Sequence, residues 1–91
     1  MPQIIIASQF ADLTNGRKSW SLPCANALQL MEGLRVDEPL LYSAIVEGEY
    51  RLKPFISLVI DDIPYADEEQ WSEIPLSAHS TALIISAVAG G

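Results

Sequence analysis

At 91 residues, 49% hydrophobic and 19% charged, the chain is predicted to form one folded domain spanning residues 1–91, because this length supports a single small core. Twelve acidic against five basic side chains give a net charge of −7, which argues against nucleic acid as a partner, since phosphate binding rests on clustered Lys and Arg. One cysteine, Cys24, excludes an internal disulfide, one histidine beside it is too few for a familiar zinc site, and the short apolar runs exclude a membrane span. The N-terminus lacks the basic-then-apolar layout of a signal peptide, so a cytoplasmic location is expected.

Gln3 to Ser8 opens with Ile4-Ile5-Ile6, a β-branched run that favours a strand. Period-2 alternation turns Ile4 and Ile6 to the core and Ile5 to the other face. Asn15-Gly16 has the left-handed preference of a hairpin turn, so Lys18 to Leu22 is expected to return as the second strand, with Trp20 and Leu22 on one face. Pro23 suits the first turn of a helix capped by Ser21, whose apolar stripe reads Ala27, Leu28, Met31 and Leu34. Cys24 would then lie near the helix N-terminus, where the dipole lowers a thiol pKa. With no partner in motif spacing, its role is expected to be structural.

Pro39 forbids continuation of this helix past Asp37 or Glu38 and starts a second, with the stripe Leu40, Leu41, Ala44 and Ile45 and with Gly48 near its C-terminal end. Phe55 to Ile60 is apolar on both faces and predicts a buried strand. Asp61-Asp62 predicts a turn and Ile63-Pro64-Tyr65 a short edge segment. Six of the twelve acids lie between residues 61 and 73, which predicts a solvated loop or a patch steering toward a basic partner. Ile74-Pro75-Leu76 is a small apolar anchor, and Ala82 to Ser86 predicts the final strand.

Strand, strand, helix, helix, strand, short strand, strand is the β-grasp order. The fold class predicted is therefore α+β: a mixed sheet packed against one main helix and a second short one, with the first and last strands parallel at its centre. No Ser/His/Asp set, phosphate-cradling glycine loop or metal-ligand cluster is present in the sequence, so a conventional catalyst is not expected. Trp20, Trp71 and His79 are expected to be packing and loop residues.

The tail, 87–91, is different. The final strand passes through small residues to Gly90-Gly91, and no ionisable side chain follows His79. A partner can adenylate a terminal carboxylate with ATP and expose it to a nucleophile, provided the reacting carbon enters a water-excluding site. Glycine permits that close approach, and Val88, Ala89, Gly90 and Gly91 together reach at most roughly 13–14 Å when extended.

Ser86-Ala87-Val88-Ala89-Gly90-Gly91 resembles the P-[PA]-V-[AST]-G-G ending of the ubiquitin-like sulfur carriers of the MoaD/ThiS family. Residues 4–16 resemble the first strand and turn of its MoaD branch, and 55–62 its F-V-x-V-x-V-N-x strand. Pro75-Leu76 with Ala82 to Ile85 resembles its P-L-x-x-G-D-x-V-x-I segment. His79-Ser80 stands where the family has Gly-Asp, and Ser86 replaces the first proline of the ending.

The resemblance implies that Gly91 is the adenylate and thiocarboxylate site, with Val88, Ala89 and Gly90 threading into a partner. No bound cofactor is implied; ATP is used by the partner, an adenylyltransferase related to ubiquitin-activating enzymes. A cysteine desulfurase or rhodanese would donate the sulfur, and an acceptor synthase subunit would receive it for molybdopterin or a related sulfur metabolite. The chain would be a protein cosubstrate, or the small subunit of a synthase such as molybdopterin synthase. Alternatives are a protein modifier forming isopeptide conjugates and a plain interaction module. Phe10, Ile5 and Leu58 are candidate partner contacts if exposed, packing being the readier role for Leu58.

Overall fold

The computed structural model describes residues 1–66 and 70–87. Its chain runs β1 (Gln3–Ile6), β2 (Ser19–Ser21), α1 (Ala27–Asp37), α2 (Pro39–Ile45), β3 (Val46–Glu47), β4 (Arg51–Leu52), β5 (Ile56–Ile60), β6 (Ile63–Tyr65) and β7 (Thr81–Ser86), with 3-10 turns over Ser8–Thr14 and Trp71–Glu73. Five strands form one mixed sheet in the order β2-β1-β7-β5-β6, and β3 and β4 pair separately. β1 lies parallel to β7, Ile4 beside Ala82 and Ile6 beside Ile84, while the other neighbours are antiparallel. Among the described residues, the last strand is thus the middle strand of the sheet.

One face of the sheet carries the core. Ile4 and Ile6 of β1, Ala82 and Ile84 of β7, and Ile56, Leu58 and Ile60 of β5 are all buried, as the two-residue period requires. Helix α1 covers them with Ala27, Leu30, Met31 and Leu34, the last three each contributing about 1.5–3 kcal/mol on full burial. Gly33 lets the helix settle against β2's exit, since a Cβ there would stand 2.8 Å from a methyl of Leu22.

Several expectations are corrected. β1 ends at Ile6 rather than Ser8; Asn15 and Gly16 take positive φ as expected, 57° and 85°, but at the end of a 3-10 turn over Ser8–Thr14 that links β1 to β2. That turn buries Phe10 in the core. α1 starts at Ala27, not Pro23. Its cap is Asn26, whose Oδ1 accepts the Gln29 N–H at 2.9 Å, so Ser21 plays no part. Leu30 belongs to its buried stripe and Leu28 is only half-buried.

α2 begins at Pro39 as expected but buries Leu41 and Ile45, with Leu40 65% exposed. Gly48, at φ 64°, serves the β3–β4 turn instead of ending a helix. Trp71 is buried and donates its Nε1–H to the Tyr50 carbonyl at 2.6 Å. Trp20 packs half-buried beneath the Arg17 guanidinium, 4.4 Å from its ring centre, and Arg17 also pairs with Glu38 at the α1–α2 junction.

The Asp61-Asp62 turn between β5 and β6 has both residues at positive φ, 49° and 70°, the primed geometry of a two-residue hairpin loop. Among the described residues, no helix is long and apolar enough to cross a membrane.

Candidate functional site

The site is the root from which the tail leaves the sheet. β7 is paired with β1 over Thr81–Ile84 and with β5 over Ala82–Ser86, so its direction is fixed, with Ile85 and Ser86 held from the β5 side. Its inward residues, Ala82 and Ile84, are buried at 0% and 1% exposure and cannot slide without uncovering the core.

The start of β7 is tied down by polar groups. The Asp61 carboxylate accepts the Thr81 N–H at 3.0 Å and the Ser80 hydroxyl at 2.8 Å. The Thr81 carbonyl in turn accepts the Asp61 N–H at 3.0 Å. These donors, the Thr81 amide first, hold the Asp61 carboxyl below the usual carboxylate range. Ser80 is itself buried, and its hydroxyl also accepts the Ser77 N–H at 2.9 Å. The His79-Ser80 pair therefore forms a closed serine turn, Ser80 N–H to Ser77 carbonyl, with exposed His79 outside it.

At the other end, Ser86 pairs with Ile56, and the Ala87 N–H donates to the Phe55 carbonyl at 2.7 Å. Phe55 itself sits in a tight turn: the Ile56 N–H donates to the Lys53 carbonyl at 3.1 Å, with Pro54 and Phe55 between them. Its φ of 74° and its exposed ring were not foreseen from the sequence. Pro54 is compatible with a turn whose next residue has positive φ, but that conformation is signalled by Gly or Asn, and Phe55 is neither.

The open face of the sheet carries a row in register: Ile5 of β1, Leu83 of β7, Val59 of β5 and Pro64 of β6. Ile85 follows Leu83 on the same face and is 38% exposed. Of the predicted partner contacts, Ile5 lies half-buried in this row. Phe10 does not. It is 8% exposed and packs inside the core, because the 3-10 turn folds it inward, and Leu58 at 2% is a core residue too. Val88, Ala89, Gly90 and Gly91 lie outside the described residues, as do Asp67, Glu68 and Glu69 of the acidic loop.

Cys24 precedes α1 and is not on its first turn, so the helix dipole does not activate it. Its half-buried thiol donates to the Leu22 carbonyl at 3.4 Å, and burial raises its pKa. Among the described residues, no three His, Cys, Asp or Glu side chains gather in a way that could hold a metal ion. The described chemistry is thus a braced strand and an apolar face.

No family model matches the sequence, and no curated protein does. The fold is shared along its length with solved structures. A chain of the Amycolatopsis orientalis BexX/CysO complex is similar at TM-score 0.80 and 22% identity, with 100% of each chain covered. CysO of Mycobacterium tuberculosis is similar at TM-score 0.77 and 15% identity, covering 97% of this chain and 100% of that one. Small archaeal modifier protein 1 of Haloferax volcanii is similar at TM-score 0.75 and 14% identity, covering 96% and 97%. The architecture is accordingly the ubiquitin-like β-grasp fold.

Proposed function

We propose that this chain is a cytoplasmic, ubiquitin-like sulfur carrier whose Gly91 carboxylate is the working group. An adenylyltransferase related to ubiquitin-activating enzymes joins that carboxylate to AMP, releasing pyrophosphate from ATP. The terminal sulfur of a persulfide on the sulfur donor, a cysteine desulfurase or rhodanese, then displaces AMP at the acyl carbon to give an acyl disulfide. A second thiol cleaves its S–S bond, releasing the thiocarboxylate and leaving a disulfide on the donor. The sulfur passes to a metabolite in an acceptor synthase, of the molybdopterin type or a related one. The chain supplies the carbonyl and its delivery, and the partners supply the catalysis.

The observation that carries this reading is the place of β7. The strand that leads to Gly90-Gly91 is the central one of the sheet, held by β1 and β5 and fixed at both ends by Asp61 and Phe55. A reactive group delivered into another protein benefits from such a root, because small errors in placement cost large factors in rate. The fold likeness supports the same class, since CysO and small archaeal modifier protein 1 are ubiquitin-like carrier and modifier proteins.

The open row Ile5-Leu83-Val59-Pro64 is the surface on which the activating enzyme would rest. Removing Gly91 tests the reading. Adenylation, followed as ATP–pyrophosphate exchange with the activating enzyme, should vanish while the thermal transition stays in place. Exchange that survives the deletion would refute it.

A second reading, a protein modifier joined to lysines through the same glycine, is favoured by the likeness to small archaeal modifier protein 1. Lysine-linked conjugates that survive reducing, denaturing gels would establish it.

A further inference from the structure

Phe55 combines two features that are costly to a fold, a strained backbone conformation and an exposed aromatic ring. It occupies the third position of the Lys53–Ile56 turn, after Pro54, where a φ of 74° favours glycine; for a bulky side chain that value is an outlier. Its ring is then left 65% exposed. Strain of this kind persists where binding needs it, and exposed aromatic rings beside a recess are typical anchors of protein interfaces. Beside the ring lies an open groove of about 220 Å³, bordered by Glu47, Lys53, Pro54, Ile56 and Ala66. Its lining mixes the charged Glu47 and Lys53 with the apolar Pro54 and Ile56.

Its position gives the strain a purpose. The Phe55 carbonyl holds the Ala87 N–H, so Phe55 stands opposite the residue from which 88–91 depart. Those four residues span at most roughly 13–14 Å. Any protein that receives Gly91 must close its surface around Ala87, and Phe55 with exposed Ile85 is what it meets there. We infer that Phe55 is the aromatic anchor that seats the chain on its activating enzyme, its ring entering an apolar recess at the rim of the enzyme's tail channel. The inference rests on the sulfur-carrier reading and names the partner contact nearest the reacting group.

The test is ATP–pyrophosphate exchange by the source organism's adenylyltransferase, with the carrier concentration varied. Phe55→Gly removes the ring and suits the positive φ, so its melting temperature should match the parent within about 2 °C or exceed it. Its KM should rise about tenfold or more with kcat little changed. Phe55→Tyr keeps the ring and should stay within about twofold of the parent, as should Val36→Ser, which alters an exposed apolar side chain on α1.

A Phe55→Gly KM within about twofold of the parent would overturn the anchor while leaving the carrier reading standing. A matching collapse of stability in that variant would overturn it too, by making the ring structural. A parent chain that supports no exchange would remove both.

Discussion

The Ala87 N–H donates to the Phe55 carbonyl at 2.7 Å, one register step beyond the Ser86–Ile56 pair. This bond fixes the point from which the reach of Gly91 is counted. Deleting Ala89 would shorten that reach by about 3.3–3.6 Å without touching the sheet. The deletion should leave the melting temperature unchanged and slow adenylate formation about a hundredfold, measured as pyrophosphate exchange at saturating carrier. An unchanged rate would mean that the tail is not threaded to a fixed depth.

The two faces of the helical layer should answer oppositely to truncation. Leu30 is fully buried against the sheet, so Leu30→Ala should cost about 2–5 kcal/mol in urea unfolding. Leu40 is 65% exposed on α2, so Leu40→Ser should change stability by no more than about 0.5 kcal/mol. Comparable losses from both would contradict the packing described here.

Asp61 makes the start of β7 sensitive to acid. Its folded pKa lies below its unfolded value of about 3.9, because the carboxylate accepts the Thr81 amide and the Ser80 hydroxyl. Its contribution to stability is therefore present above the unfolded value and lost as pH falls through the folded one. Asp61→Asn should lower the melting temperature at neutral pH and flatten its decline on acidification from about pH 5 downward. An acid limb identical to the parent's would show that the ionised carboxylate is not what holds Thr81.

Cys24 should behave as a packed thiol. Burial raises its pKa, so at neutral pH less of it is thiolate than in a free cysteine. Alkylation by iodoacetamide should be slower in the native chain than in urea, and Cys24→Ser should leave pyrophosphate exchange unaltered. Faster native alkylation would indicate an activated thiol.

Features written in local chemistry were legible in the sequence. The Ile4-Ile5-Ile6 alternation, Pro39 at the start of α2, and the Asp61-Asp62 turn all depend on neighbours within a few residues. The parallel pairing of first and last strands followed from the order of elements. What escaped depended on distant contacts. Asn26 rather than Ser21 caps α1 because the segment before the helix is held by Pro75 and Leu76, Asn26 bridging to Pro75 and the Leu76 N–H reaching the Ala25 carbonyl at 2.9 Å. Phe10 reads from the sequence as a candidate partner contact, but the 3-10 turn places it in the core. At the site, the Gly-Gly ending was the clearest signal in the sequence, whereas Phe55 was hidden because its side chain reads as the first residue of a buried strand.

The central claim is that Gly91 carries sulfur, and intact-mass spectrometry tests it most directly. The purified chain is incubated with its adenylyltransferase, ATP and a persulfide donor. The account predicts a mass increase equal to replacing one oxygen by sulfur, localised to Gly91 by fragmentation and absent without ATP. Recovery of only the unmodified carboxylate, with pyrophosphate exchange proceeding in the same mixture, would contradict it.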